Sequence, residues 1–179
     1  MFRLVSRLLR NIKSHVERSE NAANRLQVRS GDLEKDLQGF LTEALARRSL
    51  GWFAVTQEST VDLEQRPDLR VERPGLNPVP IEIKLADLRH WTMPKLLERL
   101  ENQLIGQYLR PANVRHGIYV LGNTDPKRHW KIPGTSDKLN FEELVQCIRE
   151  RAASLQAKLQ EGVDGIEVIG IDFSDPRER

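Results

Sequence analysis

The chain is poor in the residues that stabilise disulfide-linked or cysteine-ligated proteins, because Cys147 is its only cysteine among 179 residues. A single cysteine excludes an internal disulfide and a cysteine-based zinc site, and it favours a reducing compartment. No apolar run approaches the roughly 20 residues that a membrane-spanning helix needs. We therefore expect a cytoplasmic protein with no membrane partner. The histidines lie far apart, without metal-ligand spacing, at His15, His90, His116 and His129.

Two motifs that define large enzyme classes are also missing. No glycine-rich loop leads into a helix, since Gly75 lies in a turn before a predicted strand, and this disfavours an ATPase or kinase. No serine stands in a nucleophile-elbow motif. The chain has 39% apolar and 30% charged residues, which favours a folded domain over a disordered chain or a coiled-coil rod.

The charges are distributed in blocks of alternating sign. Residues 1–31 carry seven Lys and Arg against two acids, 32–83 six against ten, 84–131 nine against four, and 132–179 six against ten. The net charges are thus +5, −4, +5 and −4, which sum to +2. This pattern fits a basic surface for a polyanion beside an acidic pocket, and it also fits the solvated faces of unrelated helices.

The hydrophobic periodicity predicts an α/β domain. Helical spacing of apolar residues predicts four helices, over residues 1–16, 32–48, 94–109 and 141–159. Alternating or apolar runs predict five strands, at Trp52–Thr56, Arg66–Glu72, Val79–Leu85, Gly117–Leu121 and Ile166–Phe173. The first helix is amphipathic and either packs on the protein or faces DNA, and a polar joint follows it to residue 31. Residues 32–179 are expected to form one α/β domain with a mixed sheet.

The second and third predicted strands bring acidic side chains together. With a turn centred on Gly75, residues whose numbers sum to 150 face each other, so Asp68 lies opposite Glu82, and Lys84 shares its face. Opposed carboxylates destabilise a strand pair unless a cation binds them. Both carboxylates and the backbone carbonyl of Ile83 could hold Mg²⁺, with Lys84 beside a bound water. The alternative is a surface face held by salt bridges.

These residues resemble the signature of a known nuclease family. Pro67-Asp68, thirteen intervening positions and then Glu82-Ile83-Lys84 are similar to the motif of the PD-(D/E)xK superfamily, which includes restriction endonucleases and junction resolvases. The resemblance covers about residues 32–122 and implies a restriction-endonuclease-like core of the order α-β-β-β-α-β. It also implies hydrolysis of DNA phosphodiester bonds with Mg²⁺ or Mn²⁺, in bacterial defence or DNA repair.

Many members of this family carry a Gln and a Tyr on the helix after the lysine strand. Gln103 and Tyr108 are similar, although they are one residue further apart than is commonest, which leaves open whether Gln103 or Gln107 takes the family role. The alternative for Gln103 is the ordinary polar face of an amphipathic helix. For Tyr108, a place in the hydrophobic core is the alternative.

The family often completes its metal site with an acid from the first core helix. Glu34 is the preferred candidate here, Glu43 is the second, and Glu58 after the first strand is a further possibility. The alternative for each glutamate is an ordinary solvated position.

Basic residues on loops near the predicted site are candidates for contacts with a nucleic-acid backbone. They are Arg89, Lys95, Arg110, Arg115, Lys127, Arg128 and Lys131. Trp91 and Trp130 lie among them and could instead be half-buried loop anchors. The expected partner is DNA, with a homodimer or a larger defence or repair assembly. Two alternatives stay open: a catalytically silent nucleic-acid-binding or assembly module, and a nuclease that acts on RNA.

Overall fold

The computed structural model describes residues 1–18, 32–57, 66–159 and 162–174 as an α/β fold. The helices are α1 (Phe2–Glu17), α2 (Leu33–Ser49), α3 (Met93–Glu98) and α4 (Phe141–Lys158), and α3 continues as a π-helix over Arg99–Tyr108. The strands are β1 (Ala54–Gln57), β2 (Leu69–Glu72), β3 (Val79–Leu85), β4 (His116–Asn123), β5 (Trp130–Lys131), β6 (Lys138–Leu139) and β7 (Gly165–Asp172). In these ranges no helix is long and apolar enough to cross a membrane.

Five strands form one mixed sheet in the order β1-β2-β3-β4-β7, with helices on both faces. Strands β1, β2 and β3 form an antiparallel meander, while β3, β4 and β7 are parallel and are connected through helices. The predicted order of these elements is therefore confirmed. The short pair β5–β6 was not predicted, because two-residue strands carry no periodicity to detect.

The predicted register of the β2–β3 hairpin is confirmed. Leu69 pairs with Ile81 and Val71 pairs with Val79, so the paired numbers sum to 150. Gly75 has a φ of +79°, a left-handed conformation that glycine adopts without the steric penalty of a side chain. The turn thus fixes which residues face each other.

Strand β3 is buried on both faces. Its odd-numbered residues, from Val79 to Leu85, pack in a hydrophobic cluster with α1 and α2. Its even-numbered residues Glu82 and Lys84 are buried as well, with 1% and 6% of their surface exposed. Two charged residues are thus part of the interior of the protein, where they must be paired to be tolerated.

The N-terminal helix is a packing element. Val5, Leu9, Ile12 and Val16 of α1 are buried against the rest of the protein, and α1 contacts β7 and α2. This stripe accounts for the amphipathic pattern of the first residues, and the basic side chains lie largely outside it.

Helix α2 begins where the sequence predicts. The side chain of Asp32 accepts hydrogen bonds from the backbone N–H groups of Glu34 and Lys35, which are left without partners at the start of a helix. This N-cap fixes the first turn and, with it, the direction of the Glu34 side chain.

Candidate functional site

The site begins where β2 stops pairing with β3. Beyond Ile81, the N–H groups of β3 on that side have no strand partner, and an unpaired buried N–H costs about 1–3 kcal/mol. Two carboxylates replace the missing strand. Asp68 Oδ2 accepts from the N–H of Ile83 at 2.6 Å, and Glu34 Oε2 accepts from the N–H of Leu85 at 3.1 Å. Asp68 before β2 and Glu34 on α2 are therefore both held against β3.

The ammonium group of Lys84 lies among the oxygens that were predicted to hold a metal ion. Its Nζ is 2.8 Å from Glu82 Oε1, 3.1 Å from Asp68 Oδ2 and 3.4 Å from Glu34 Oε1. It also donates to the backbone carbonyl of Ile83 at 2.8 Å. All four groups thus converge on one positively charged atom.

Burial and charge set the protonation of this cluster. Burial raises the pKa of Glu82 to about 7, against the opposing attraction of Lys84 and with a further contribution from Asp68. Burial alone would lower the pKa of Lys84, but the surrounding Glu82, Asp68 and Glu34 outweigh it and hold that pKa above its usual range. Lys84 is therefore charged at neutral pH, while Glu82 binds a proton more readily than an ordinary glutamate does.

Two neighbouring side chains orient the carboxylates. Gln38 on α2 donates from Nε2 to Asp68 Oδ1 at 2.9 Å, and the indole N–H of Trp91 donates to Glu34 Oε2 at 3.1 Å. Trp91 has 6% of its surface exposed, so it anchors its loop. This is one of the two roles that the sequence suggested for it. Trp130, with 2% exposed, is likewise an anchor.

A cavity of about 670 Å³ opens onto the cluster. Asp68, Glu82, Lys84 and Glu34 line it together with Gln103 and further residues of α2 and the loop after β3. The remaining lining residues are Asp32, Lys35, Gln38, Gln57, Arg66, Pro67, Leu88, His90, Trp91, Arg99 and Tyr108. A volume of this size is typical of a ligand site. We call it the acidic cavity.

The π-helix brings two predicted residues to the acidic cavity. Gln103 and Tyr108 both line it, whereas Gln107 is exposed outside it, so Gln103 is the glutamine near the cluster. The hydroxyl of Tyr108 donates to the carbonyl of Arg66 at 2.7 Å. Burial and the nearby Glu82 raise the pKa of Tyr108, which stays neutral at physiological pH.

The second candidate acid of α2, Glu43, lies away from the cluster. Glu43 is exposed and forms an ion pair with Arg47 within α2, so the structure favours Glu34 as the helix acid near the cluster. Glu58 lies outside the described residues. Of the two candidate acids on α2, Glu34 is therefore the one that lies at the cluster.

None of the seven basic residues predicted to contact nucleic acid lines the acidic cavity. Arg115 is held by Asp164 through two hydrogen bonds of 2.8 and 2.9 Å, just before β4 begins. Arg128 contacts the carbonyl of Trp91 and lies over the ring of Trp130. The exposed members are Arg89, Lys95, Arg110, Lys127 and Lys131. These seven residues are close to the predicted site residues in the sequence, but in the structure they do not line the acidic cavity.

A larger cavity, of about 780 Å³, lies along β7 between α1 and α4. Two of its basic side chains are engaged with the outer edge of that strand. Lys13 donates to the carbonyl of Gly170 at 2.8 Å, and Arg149 donates to the carbonyl of Val168 at 3.0 Å. These contacts cover an edge that could otherwise pair with another chain, so the groove has a structural explanation.

The donor atoms of the acidic cavity fit a hard divalent cation. Carboxylate and carbonyl oxygens are the ligands that Mg²⁺ and Mn²⁺ prefer. Glu82 Oε2 is buried without a hydrogen-bond partner among the described residues, so an oxygen is available for a cation. In the described ranges, however, no three His, Cys, Asp or Glu side chains are arranged to hold a metal ion. The oxygens are closed around Lys84, and the ammonium must move before another cation can take its position.

Gln38, Arg99 and the contact of Trp91 with Glu34 were not predicted from the sequence. Gln38 lies four residues after Glu34 on α2, so a helical-face argument from Glu34 could have found it. Arg99 lies four residues before Gln103 and was detectable in the same way. Nothing in the sequence links Trp91 to Glu34, because that contact depends on the path of a loop. Comparison with known proteins gives no match: no protein-family model, no curated protein and no solved structure is significantly similar to this chain.

Proposed function

We propose that this protein is a metal-dependent nuclease of the PD-(D/E)xK type that hydrolyses phosphodiester bonds of DNA. One observation carries the proposal: Asp68, Glu82, Glu34 and the Ile83 carbonyl surround a single cationic atom, Lys84 Nζ, beside a cavity. Burying three carboxylates around one point in the interior costs free energy unless a cation lies among them. The proposed setting is bacterial defence or DNA repair.

The residues of the chain have distinct roles in this proposal. Asp68, Glu82 and Glu34, with the carbonyl of Ile83, would hold Mg²⁺ or Mn²⁺ through oxygen atoms. Such an ion, when bound, acidifies water and neutralises charge on a phosphate during hydrolysis. Lys84 would then lie beside the water and the phosphate rather than among the carboxylates.

The reaction itself is a simple hydrolysis. A water molecule gives up one proton and its oxygen forms a bond to phosphorus, the bond from phosphorus to one ester oxygen breaks, and that oxygen takes up a proton. The ammonium of Lys84 balances negative charge on the phosphate, and Gln103 can donate its amide to the water or to a phosphate oxygen. Burial of Glu82 and Lys84 keeps bulk water away from these groups and strengthens their electrostatic effect.

The organisation of the site supports a catalyst over a silent binding module. A binding module for a polyanion needs exposed cations, not three acids around a buried ammonium. Gln38 and Trp91 hold two of those acids by direct hydrogen bonds, as supporting residues do in metal sites. This arrangement is expected in an enzyme that cleaves and not in a module that only binds.

Cleavage of supercoiled DNA, linear DNA and RNA, each with Mg²⁺, with Mn²⁺ and with EDTA, tests the proposal. The wild type is compared with Asp68→Asn and with Glu43→Gln, a matched control on the exposed face of α2. We expect metal-dependent cleavage of DNA that Asp68→Asn lowers by at least about a thousandfold. Cleavage of RNA alone would reassign the substrate. Folded protein that neither cleaves nor binds metal would refute the catalytic proposal.

A further inference from the structure

Phosphate must enter a cavity that already holds three carboxylates, and this raises the question of which group attracts it. The ammonium of Lys84 is engaged with Glu34, Asp68 and Glu82. Like charges at short range repel, so a cation in addition to Lys84 and the proposed metal ion favours a phosphodiester next to the cluster. Lys35 and Arg66 line the acidic cavity but are exposed at its rim.

Arg99 is a half-buried cation that lines the same cavity. No described carboxylate lies within ion-pair distance of its guanidinium. Arg99 begins the π-helix, four residues before Gln103, so the two side chains lie on one side of the helix. A guanidinium that is withdrawn from bulk water without a carboxylate partner is suited to an anionic ligand.

The indole ring of Trp91 holds Arg99 next to the carboxylates. The guanidinium carbon lies 5.7 Å from the ring centroid, and Lys84 Nζ lies 5.8 Å from the same centroid. The N–H of that ring also donates to Glu34. Trp91 therefore connects the free guanidinium to the acidic cluster, and the cation–π contact restricts its motion before a ligand binds.

We propose that Arg99 binds a phosphate group of the nucleic acid in the acidic cavity, next to the carboxylate cluster. The planar guanidinium offers two parallel N–H donors that match two phosphate oxygens, a geometry that an ammonium cannot reproduce. Arg99 thereby offsets the repulsion between the strand and the three acids. This inference rests on the proposed function and adds a substrate-binding residue to it.

Equilibrium binding of a labelled DNA duplex tests this role. Ca²⁺ at fixed concentration replaces Mg²⁺ while NaCl is varied, and fluorescence anisotropy reports the affinity. Loss of one phosphate contact lowers the slope of log affinity against log salt by about 0.9. We expect Arg99→Gln to show that decrease, together with affinity weakened about tenfold. Arg99→Lys keeps the charge, so it should restore the slope but only part of the affinity.

Arg47→Gln is the matched control, because Arg47 is exposed on α2, away from the cavity. It should leave affinity and slope as in the wild type, and circular dichroism checks the folding of each variant. Arg99→Gln with a wild-type slope overturns the inference, even if its affinity falls, because a structural role weakens binding without removing a phosphate contact. Wild-type protein that binds no DNA refutes the proposed function, and the role of Arg99 with it.

Discussion

Gln103 and Tyr108 are five residues apart, yet both line the acidic cavity beside Glu82. In an α-helix, residues four apart share a face, whereas the i→i+5 hydrogen bonds of a π-helix bring residues five apart onto nearly the same side. The bond from the N–H of Leu109 to the carbonyl of Leu104 has this spacing. The π-helix thus compensates for the one extra residue between Gln103 and Tyr108.

Gly106 permits this helix geometry, and its replacement by alanine tests the point. A Cβ at Gly106 would lie 3.0 Å from the carbonyl oxygen of Glu101, whereas a Cβ at Gly39 in α2 meets nothing within 4 Å apart from the neighbouring backbone of its own helix. Gly39→Ala should therefore gain the usual helix preference of alanine, about 0.5–1 kcal/mol. Gly106→Ala should fail to gain it, so that the two unfolding free energies differ by about 1 kcal/mol in urea denaturation. Equal gains would contradict this account of the π-helix.

Gln38 is expected to support cation binding through Asp68. Gln38→Ala removes the donor to Asp68 Oδ1 and should weaken Mn²⁺ affinity about tenfold, because supporting hydrogen bonds fix the orientation of ligands. Isothermal titration calorimetry measures the affinity. Gln146→Ala on the exposed face of α4 is the control and should bind Mn²⁺ like the wild type. Unchanged affinity in Gln38→Ala would show that Asp68 needs no such support.

The stability of the protein should fall as pH rises towards neutrality. The pKa of Glu82 is about 7 in the folded protein and near 4.5 in the unfolded chain, so the folded state holds the proton more tightly. Its contribution is complete below pH 4.5 and is lost as pH rises through about 7, a change of up to about 3 kcal/mol.

Urea denaturation of the metal-free protein at pH 5 and pH 8 measures this change. Glu82→Gln has no carboxylate at this position and should lose less stability between the two pH values than the wild type. Glu43→Gln, at an exposed acid, should follow the wild type. Parallel behaviour of Glu82→Gln and the wild type would mean that Glu82 is ionised throughout this range.

Lys84 is expected to compete with the metal ion while it supports the reaction. Its removal leaves three carboxylates without their cation, so Lys84→Ala should bind Mn²⁺ at least about tenfold more tightly. The same variant should lose cleavage, because no ammonium remains beside the phosphate. Calorimetry and a cleavage assay on the same preparation separate the two effects. Weaker Mn²⁺ binding by Lys84→Ala would show that the ammonium does not occupy the position of the ion.

The five strands of the main sheet and the hairpin register were predictable because local signals determine them. Alternation over Val79–Leu85 and a turn at Gly75 define a pairing, and one slipped residue would turn Glu82 to the other face. The N-cap at Asp32 is equally local. These features place Asp68, Glu82 and Lys84 near one another without knowledge of the rest of the fold.

The remainder of the site depends on packing between distant segments. The contact of Trp91 with Glu34 joins residues 57 positions apart, through a loop with no periodic signal. The extra residue between Gln103 and Tyr108 was visible in the sequence, but α- and π-helices share similar apolar spacing, so the π-helix was not predicted. The position of Arg115 likewise depends on a distant segment, since its guanidinium is paired with Asp164 and does not line the acidic cavity.

Single-turnover cleavage of linear and supercoiled DNA over a series of Mg²⁺ concentrations tests the central claim most directly. The account predicts a rate that rises with Mg²⁺ and saturates in the wild type and in Glu43→Gln. Glu82→Gln should lose at least about a thousandfold at every Mg²⁺ concentration. Cleavage that persists in EDTA, or that Glu82→Gln leaves intact, would contradict the assignment of the acidic cavity as a metal-dependent nuclease site.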